Sequence, residues 1–277
     1  MADRYAVIGN PVAHSKSPWI HARFARQTGQ TLEYGALLAA PDGFLNAVEA
    51  FRRSGGKGLN VTLPFKQDAC RLAARLSARA LAAQAVNTLL LSEEEISGDN
   101  TDGCGLVRDL EANLGFRVAG QRVLLAGAGG AARGVLLPLL QAGPAAIFVA
   151  NRSVEKARHL VGELASQAAG ALAKTRLAAG SFAELAGEKF DLVVNATSAG
   201  LTDAPLALPP RLFAPGALAY DMVYGRDTAF LRAARAGGAA RAADGLGMLV
   251  EQAAESFFLW RGVRPQTASV LAELRAG

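Results

Sequence analysis

Arg122-Val123-Leu124-Leu125-Ala126-Gly127-Ala128-Gly129-Gly130-Ala131-Ala132 is the stretch on which the fold turns. A short apolar run of strand type ends in glycines, and a helical pattern over Ala131–Gln141 opens directly behind it. The glycines read G-x-G-x-x-A. Gly127 permits a tight turn, Gly129 lets a pyrophosphate approach the backbone, and a small residue at Ala132 lets helix and strand pack closely. The helix start then faces the phosphates with its free N–H groups. A lone glycine motif is also compatible with a structural turn, but here a second apolar strand, Ala146–Ala150, follows on schedule and completes a βαβ unit. Dinucleotide binding is therefore expected, with Gly127, Ala128, Gly129, Gly130 and Ala131 forming the phosphate loop.

The tip of that second strand selects the dinucleotide. An NAD site places an acid there for the ribose hydroxyls. This chain has Asn151-Arg152-Ser153, with Lys156 one turn into the next helix. Cations at this position suit a 2′-phosphate, which points to NADP. The alternative is that Arg152 is one more surface arginine.

Outward from this unit, strand-like runs alternate with helical ones. The strands are expected at Tyr5–Gly9, Leu32–Leu38, Leu59–Leu63, Ala85–Leu91, Val123–Ala126, Ala146–Ala150, Asp191–Val194, Leu218–Met222 and Ala239–Ala243. Helical patterns lie between most of them, among them Pro18–Gln27, Gly43–Arg53, Ala131–Gln141 and Glu155–Ala168. Such alternation predicts an α/β protein with parallel sheets. One exception is the polar turn Leu91–Ile96, which reads as a hairpin between two extended pieces. Boundaries fall near Asp102–Gly105 and Asp244–Gly247, so a first α/β domain spans 1–103 and a Rossmann-like domain spans 104–246. The helices of 247–277 have no strand after them and are expected to pack back on the first domain.

The chain's 277 residues agree with roughly two domains. A chain of this size buries about three quarters of its unfolded surface, so it needs no staple. Hydrophobic residues make up 51% and charged residues 19%, which excludes a disordered chain. The two cysteines, Cys70 and Cys104, exclude a disulfide scaffold and a four-cysteine metal site. His14, His21 and His159 show no ligand spacing, so no metal is expected. Mean hydropathy is +0.19, and the longest uncharged stretch, Gly134–Asn151, is broken by Pro138, Gly143 and Pro144. No membrane span or signal peptide is expected, and a cytoplasmic location follows. The net charge of +5 is spread without a basic run, which argues against nucleic acid and for a solvated surface or a pocket that attracts an anion.

Three small motifs in the first hundred residues each follow a strand. In Ser15-Lys16-Ser17-Pro18, two hydroxyls precede a helix start and suit a carboxylate, although Ser-x-Ser-Pro also serves as an ordinary cap. The second motif is Asn60–Lys66, and the third combines Ala85–Thr88 with Gly98–Gly103. Ligand groups gather at the carboxyl ends of parallel strands, so Asn60, Thr62, Asn87 and Asp102 are expected to share a cleft. Asn and Thr side chains suit hydroxyl groups. Lys66 and Asp102 form an acid–base pair able to protonate a carbonyl oxygen as hydride arrives.

SKSP, NVTLPFK, AVNT, GDNTDG, GAGGAAR, NRS, NATSAG, DMVY and GLGMLVEQ, in this order, make the chain resemble the shikimate dehydrogenases from Ile8 to about Trp260. The resemblance implies two α/β domains, an N-terminal substrate domain and a Rossmann-like NADP domain, with the cleft between them. It implies reversible NADPH reduction of 3-dehydroshikimate to shikimate, on the route to aromatic amino acids. By motif, Ser15 and Ser17 would bind the substrate carboxylate, Thr62, Asn87 and Gln252 its hydroxyls, and Tyr224 would line the site. Lys66 and Asp102 would be the catalytic pair. Gly127–Ala131, Asn151–Lys156, Met222 and Gly245 would hold NADP, and Thr197, in the Asn195–Ser198 tract, would border the nicotinamide. Ala78 stands where family members often carry an acid, and the loop after Tyr224 is one residue shorter than usual. A quinate-type dehydrogenase, or an idle NADP-sensing regulator on the same scaffold, is the alternative. The expected assembly is a monomer or homodimer. Of the residues left over, Cys70 and Cys104 read as buried thiols, and His21 and His159 as surface or capping residues.

Overall fold

A computed structural model describes residues 2–167, 175–197 and 202–276. Two compact units result, Met1–Gly105 with Leu249–Gly277, and Leu106–Met248. Ser198 and Ala168, which the sequence patterns include in a strand-end motif and a helix, lie outside the described residues.

The first unit is built on one mixed sheet. Its strands are β1 (Asp3–Gly9), β2 (Leu32–Leu38), β3 (Gly56–Val61), β4 (Arg75–Leu76), β5 (Thr88–Leu91) and β6 (Ile96–Asp99), in the order β2-β1-β3-β5-β6-β4. β1 is parallel to both β2 and β3, whereas β5 is antiparallel to β3 and to β6. The hairpin after Leu91 is thus present. β3 stops at Val61 and β5 starts at Thr88, so both strands are shorter than expected at the end that carries the polar motifs. Gly9 has to be glycine, because a Cβ there would sit 2.3 Å from the Thr62 methyl.

Helices α1 (Ser17–Thr28) and α2 (Phe44–Arg53) each bury one stripe. In α2 this is Phe44, Val48 and Phe51, at the spacing of one helix face. α1 ends at Gly29, whose φ of 66° closes the helix with the Gln30 N–H on the Ala25 carbonyl. Two short helices follow, α3 (Lys66–Leu72) and α4 (Ala78–Ala83), the second capped by Ser77. α5 (Asp102–Arg108) continues as a π turn over Asp109–Asn113 and carries the chain into the second unit.

The second unit contains β7 (Arg122–Ala126), α6 (Gly130–Gln141), β8 (Ala146–Ala150), α7 (Val154–Gln167), β9 (Arg176–Gly180), β10 (Phe190–Asn195), β11 (Phe213–Asp221), α8 (Ala229–Ala236) and β12 (Arg241–Ala243). Its strands are all parallel, in the order β12-β11-β10-β7-β8-β9. Counted from β7 this is 3-2-1-4-5-6 reversed, the order of a dinucleotide-binding fold with its switch point between β7 and β10. β7 and β10 are almost wholly buried, as strands covered on both faces must be. β9 escapes the sequence pattern, and β11 begins at Phe213, five positions before the expected Leu218. The chain returns to the first unit within α9 (Leu246–Arg261) and ends in α10 (Thr267–Ala276).

Candidate active site

Strand direction gathers the polar motifs of the first unit at one sheet edge. β1 and β3 run toward that edge and end in the loops bearing Ser15 and Thr62. β5 runs the opposite way, so its start, just after Asn87, lies at the same edge. β6 reverses again and delivers Asp99 through Asp102 there. The loops after β1 and β3 are joined by the Asn10 N–H on the Leu63 carbonyl at 3.0 Å and the Thr62 N–H on the Ile8 carbonyl at 3.0 Å.

Lys66 is the first residue of α3, and its ammonium lies 2.5 Å from Oδ2 of Asp102. The other Asp102 oxygen accepts from Asn87 Nδ2 at 2.9 Å. Asp102 opens α5, where a negative charge matches the helix start. Asn87 is itself held: its Oδ1 accepts from the Thr101 N–H at 2.8 Å, and its amide also reaches Thr101 Oγ1 and Gln252 Oε1. Gly105 lets α9 come this close, since a Cβ there would meet the Gln252 backbone nitrogen at 2.7 Å. Lys66, Asn87, Asp102 and Gln252 thus form one hydrogen-bonded cluster.

Asn60 belongs to a layer beneath it. Its Oδ1 accepts from the Tyr34 hydroxyl at 2.7 Å, and its Nδ2 donates to Ser256 Oγ at 3.0 Å and contacts Thr88 Oγ1 and the Asn87 carbonyl. Asn60 is buried, with both ends of its amide hydrogen-bonded inside the first unit. Thr62 is half-buried and makes no side-chain hydrogen bond among the described residues. The Ser15 hydroxyl accepts from the Ser17 N–H at 3.2 Å in the turn before the helix, and Ser17 is buried at the start of α1.

His21 corrects the expectation of a surface or capping residue. It is fully buried, stacked on Tyr34 at 4.1 Å, with neither ring nitrogen hydrogen-bonded. Burial lowers its pKa to about 3, against a weaker opposing effect of Asn60. Tyr34 is likewise held protonated by burial. The cysteines are half-buried where full burial was expected, and Cys104 bonds the Thr101 carbonyl, its thiol pushed up to about 12 mainly by desolvation.

In the second unit the expected cofactor residues line the carboxyl edge of the parallel sheet. Gly127 has a φ of 116°, and a Cβ there would lie 2.9 Å from the Ala196 carbonyl. Gly129 caps α6 without any side-chain bond, and a Cβ at Gly129 or Gly130 would meet nothing. Gly129, Gly130 and Ala131 are exposed while Ala132 is fully buried, so the helix start presents bare backbone to solvent. That is what a pyrophosphate needs. Asn151 sits at the tip of β8 with its Nδ2 on the Ser153 carbonyl. Arg152 and Lys156 are exposed and make no ion pair among the described residues.

Thr197 donates its hydroxyl to Asn195 Oδ1 at 2.7 Å, and Asn195 donates to the buried Asp221. Asp221 also takes the Val223 N–H and the Thr228 hydroxyl, so the loop after Tyr224 returns Thr228 to the strand end. Gly245 packs on Met222, leaving only 2.4 Å between a Cβ and the Met222 carbonyl oxygen. Tyr224 is half-buried in this unit. Asp221 and Thr228 were not singled out by the sequence patterns, although a buried acid at a strand end was visible in DMVY.

Family models match in three blocks: the shikimate dehydrogenase substrate binding domain over residues 7–89, shikimate/quinate 5-dehydrogenase over 110–202, and the shikimate 5'-dehydrogenase C-terminal domain over 245–275. The chain is 62% identical over 277 residues to a shikimate dehydrogenase (NADP(+)) of Dechloromonas aromatica, covering 100% of this chain and 98% of that protein. The chain belongs to the shikimate dehydrogenase family. Another shikimate dehydrogenase (NADP(+)), from Aromatoleum aromaticum, is 62% identical over 99% of this chain and 97% of its own length. Among solved structures, shikimate 5-dehydrogenase from Thermus thermophilus in complex with NADP(H) and shikimate superposes with a TM-score of 0.85 at 34% identity, covering 99% of both chains. Seven of the nine motifs lie inside the matched blocks, and Gly98–Gly103 and Asp221–Tyr224 lie between them.

Proposed function

We propose that the chain catalyses the reversible NADPH-dependent reduction of 3-dehydroshikimate to shikimate, with the first unit as substrate domain and the second as NADP domain. The observation that carries the reading is the Lys66–Asp102 contact, set among uncharged hydrogen-bonding side chains. A carbonyl that receives a hydride becomes an alkoxide and needs a proton at once. The Lys66 ammonium supplies it, and in the reverse direction neutral Lys66 takes it from the hydroxyl. Asp102 keeps the ammonium aimed and compensates its charge. Thr62, Asn87 and Gln252 are the donors and acceptors for ring hydroxyls, and Ser15 and Ser17 at the start of α1 are the place for the carboxylate.

NADP fits the second unit: the exposed glycine backbone before α6 takes the pyrophosphate, Asn151, Arg152, Ser153 and Lys156 take the 2′-phosphate ribose, and Thr197, Met222 and Gly245 border the nicotinamide. Bound there, the cofactor supplies or accepts the hydride. The same reading places the enzyme in the cytoplasm as a monomer or homodimer, without nucleic-acid or membrane partners.

The test is absorbance at 340 nm with NADP⁺ and shikimate, then with quinate in its place. Rapid NADPH formation with shikimate, and far less with quinate, supports the reading. Preference for quinate moves the enzyme to the quinate type, and silence with both makes it a binding protein on this scaffold.

A further inference from the structure

We propose that Arg79 is a positioning residue that sets the Lys66–Asp102 pair by clamping the turn that carries Asp102 to the helix that carries Gln252. The inference rests on the catalytic reading of that pair. Arg79 meets Asp99 with two parallel bonds, Nε to Oδ1 at 2.7 Å and Nη2 to Oδ2 at 2.9 Å. The same Nη2 donates to Glu255 Oε1 at 3.1 Å. Asp99 closes β6, and Glu255 lies on α9 between Gln252 and Ser256.

From Asp99 the constraint passes to Asp102 through four hydrogen bonds. The Asp99 Oδ1 also accepts the Asn100 backbone N–H at 2.6 Å, and the Asp99 carbonyl accepts the Asn87 N–H at 3.0 Å. Asn100 is fully buried, anchored by its Nδ2 on the Ala85 carbonyl, and its Oδ1 accepts the Asp102 N–H. That N–H is one of the donors a helix start leaves unpaired, so the Asn100 side chain fixes the direction in which Asp102 leaves the turn. From Glu255 the constraint passes along one turn of helix to Gln252, which meets Asn87, and to Ser256, which meets Asn60, Thr88 and Thr101. Arg79 is the cation that joins the two routes.

Without the guanidinium, Asp99 and Glu255 would face one space with their shared cation gone. Glu255 keeps Arg264 at 2.6 Å, whereas Asp99 keeps only the neutral donors Ser77 and the Asn100 N–H. Repulsion and lost bonds act on the backbone three residues before Asp102. A displacement of about 1 Å in a catalytic group costs on the order of 100-fold in rate. Lysine cannot restore the bidentate grip, because it is a point charge on a flexible stem.

The experiment is steady-state oxidation of shikimate by Arg79→Met and Arg79→Lys, and by Arg79→Met combined with Asp102→Asn. Arg75→Met is the control, since Arg75, four positions earlier, is largely exposed and among the described residues pairs with Glu95. The expected result is a kcat about 10- to 100-fold lower in Arg79→Met with KM within about threefold, an intermediate value in Arg79→Lys, and no change in Arg75→Met. On the Asp102→Asn background, Arg79→Met should lower kcat by less than about threefold, because its route of action is already cut. A folded Arg79→Met with kcat within about twofold of wild type, or the same loss on both backgrounds, overturns the proposal. Should Arg79→Met not fold, Asp99→Asn is put through the same cycle and decides by the same criteria. Lys66→Ala is measured alongside. If it leaves kcat intact, the catalytic reading itself fails; if it abolishes turnover while Arg79→Met does not, only the present inference does.

Discussion

The Lys66 ammonium touches one oxygen of Asp102 while the Asn87 amide holds the other. Asp102 therefore cannot rotate away from Lys66 without breaking a second bond. Lys66→Ala should lower kcat by about 10²- to 10⁴-fold, the range for losing a general acid, and leave KM within a few-fold. Initial rates at saturating shikimate check this, and a variant keeping half the wild-type kcat removes Lys66 from proton transfer.

The two serines at the start of α1 differ in their secondary effects. Each of Ser15→Ala and Ser17→Ala should weaken shikimate binding by about 1.5–3 kcal/mol, the range for a hydrogen bond to a charged group. Ser15 also accepts the Ser17 N–H in the turn before α1, so Ser15→Ala should in addition cost about 0.5–1.5 kcal/mol of stability as a lost hydrogen bond. Calorimetric titration and urea unfolding separate the two effects. Unchanged affinity in both variants would place the carboxylate elsewhere.

Arg152 stands exposed at the tip of β8 with Lys156 one turn on. The preference for NADP⁺ over NAD⁺ should amount to roughly 2–4 kcal/mol, or about 30- to 1000-fold in kcat/KM. Arg152→Asp should erase most of it, since the new carboxylate repels the 2′-phosphate and accepts from ribose hydroxyls. The ratio of kcat/KM for the two cofactors, at one salt concentration, measures this. An unchanged ratio in the variant shows that the phosphate is read at another position.

His21 makes stability depend on pH. Its pKa is lowered from 6.5 to about 3 by burial. Between those values the unfolded chain takes up a proton that the native chain does not, so stability is full above pH 6.5 and is lost as pH falls toward 3. The slope from this site reaches about 1.4 kcal/mol per pH unit. His21→Phe should fold as well as wild type at pH 7, because two unpaired ring nitrogens disappear into an apolar box of Tyr34, Phe24 and Phe257. The difference in urea midpoint between pH 7 and pH 5 should shrink in the variant. Equal differences in the two proteins would assign the acid sensitivity to other groups.

Two features of the structure come from contacts between distant segments. β9, Arg176-Leu177-Ala178-Ala179-Gly180, carries no β-branched or aromatic residue, and becomes a strand because β8 offers it a ladder. Arg79 looks like its neighbours Arg71 and Arg75 along the chain, and only the return of α9 gives it Glu255. His21 was legible: the spacing that buries Ile20 and Phe24 on α1 buries position 21 as well, and polarity masked the pattern.

The local chemistry was written in the residues themselves. A strand followed by G-x-G-x-x-A, a strand tip without an acid, and hydroxyls or amides after successive strands are short-range statements, because turn geometry and strand direction are set over a few residues. What the chain could not state is which partners those groups take once packed. Asn60 and Asn87 are alike in sequence context, yet Asn60 meets Tyr34 and Ser256, whereas Asn87 meets Asp102 and Gln252. That division depends on partners 26 and 196 positions from Asn60, and 15 and 165 from Asn87. A buried polar group must find a partner, and its choice is made by whichever distant segment the sheet and the last long helix bring within hydrogen-bond reach.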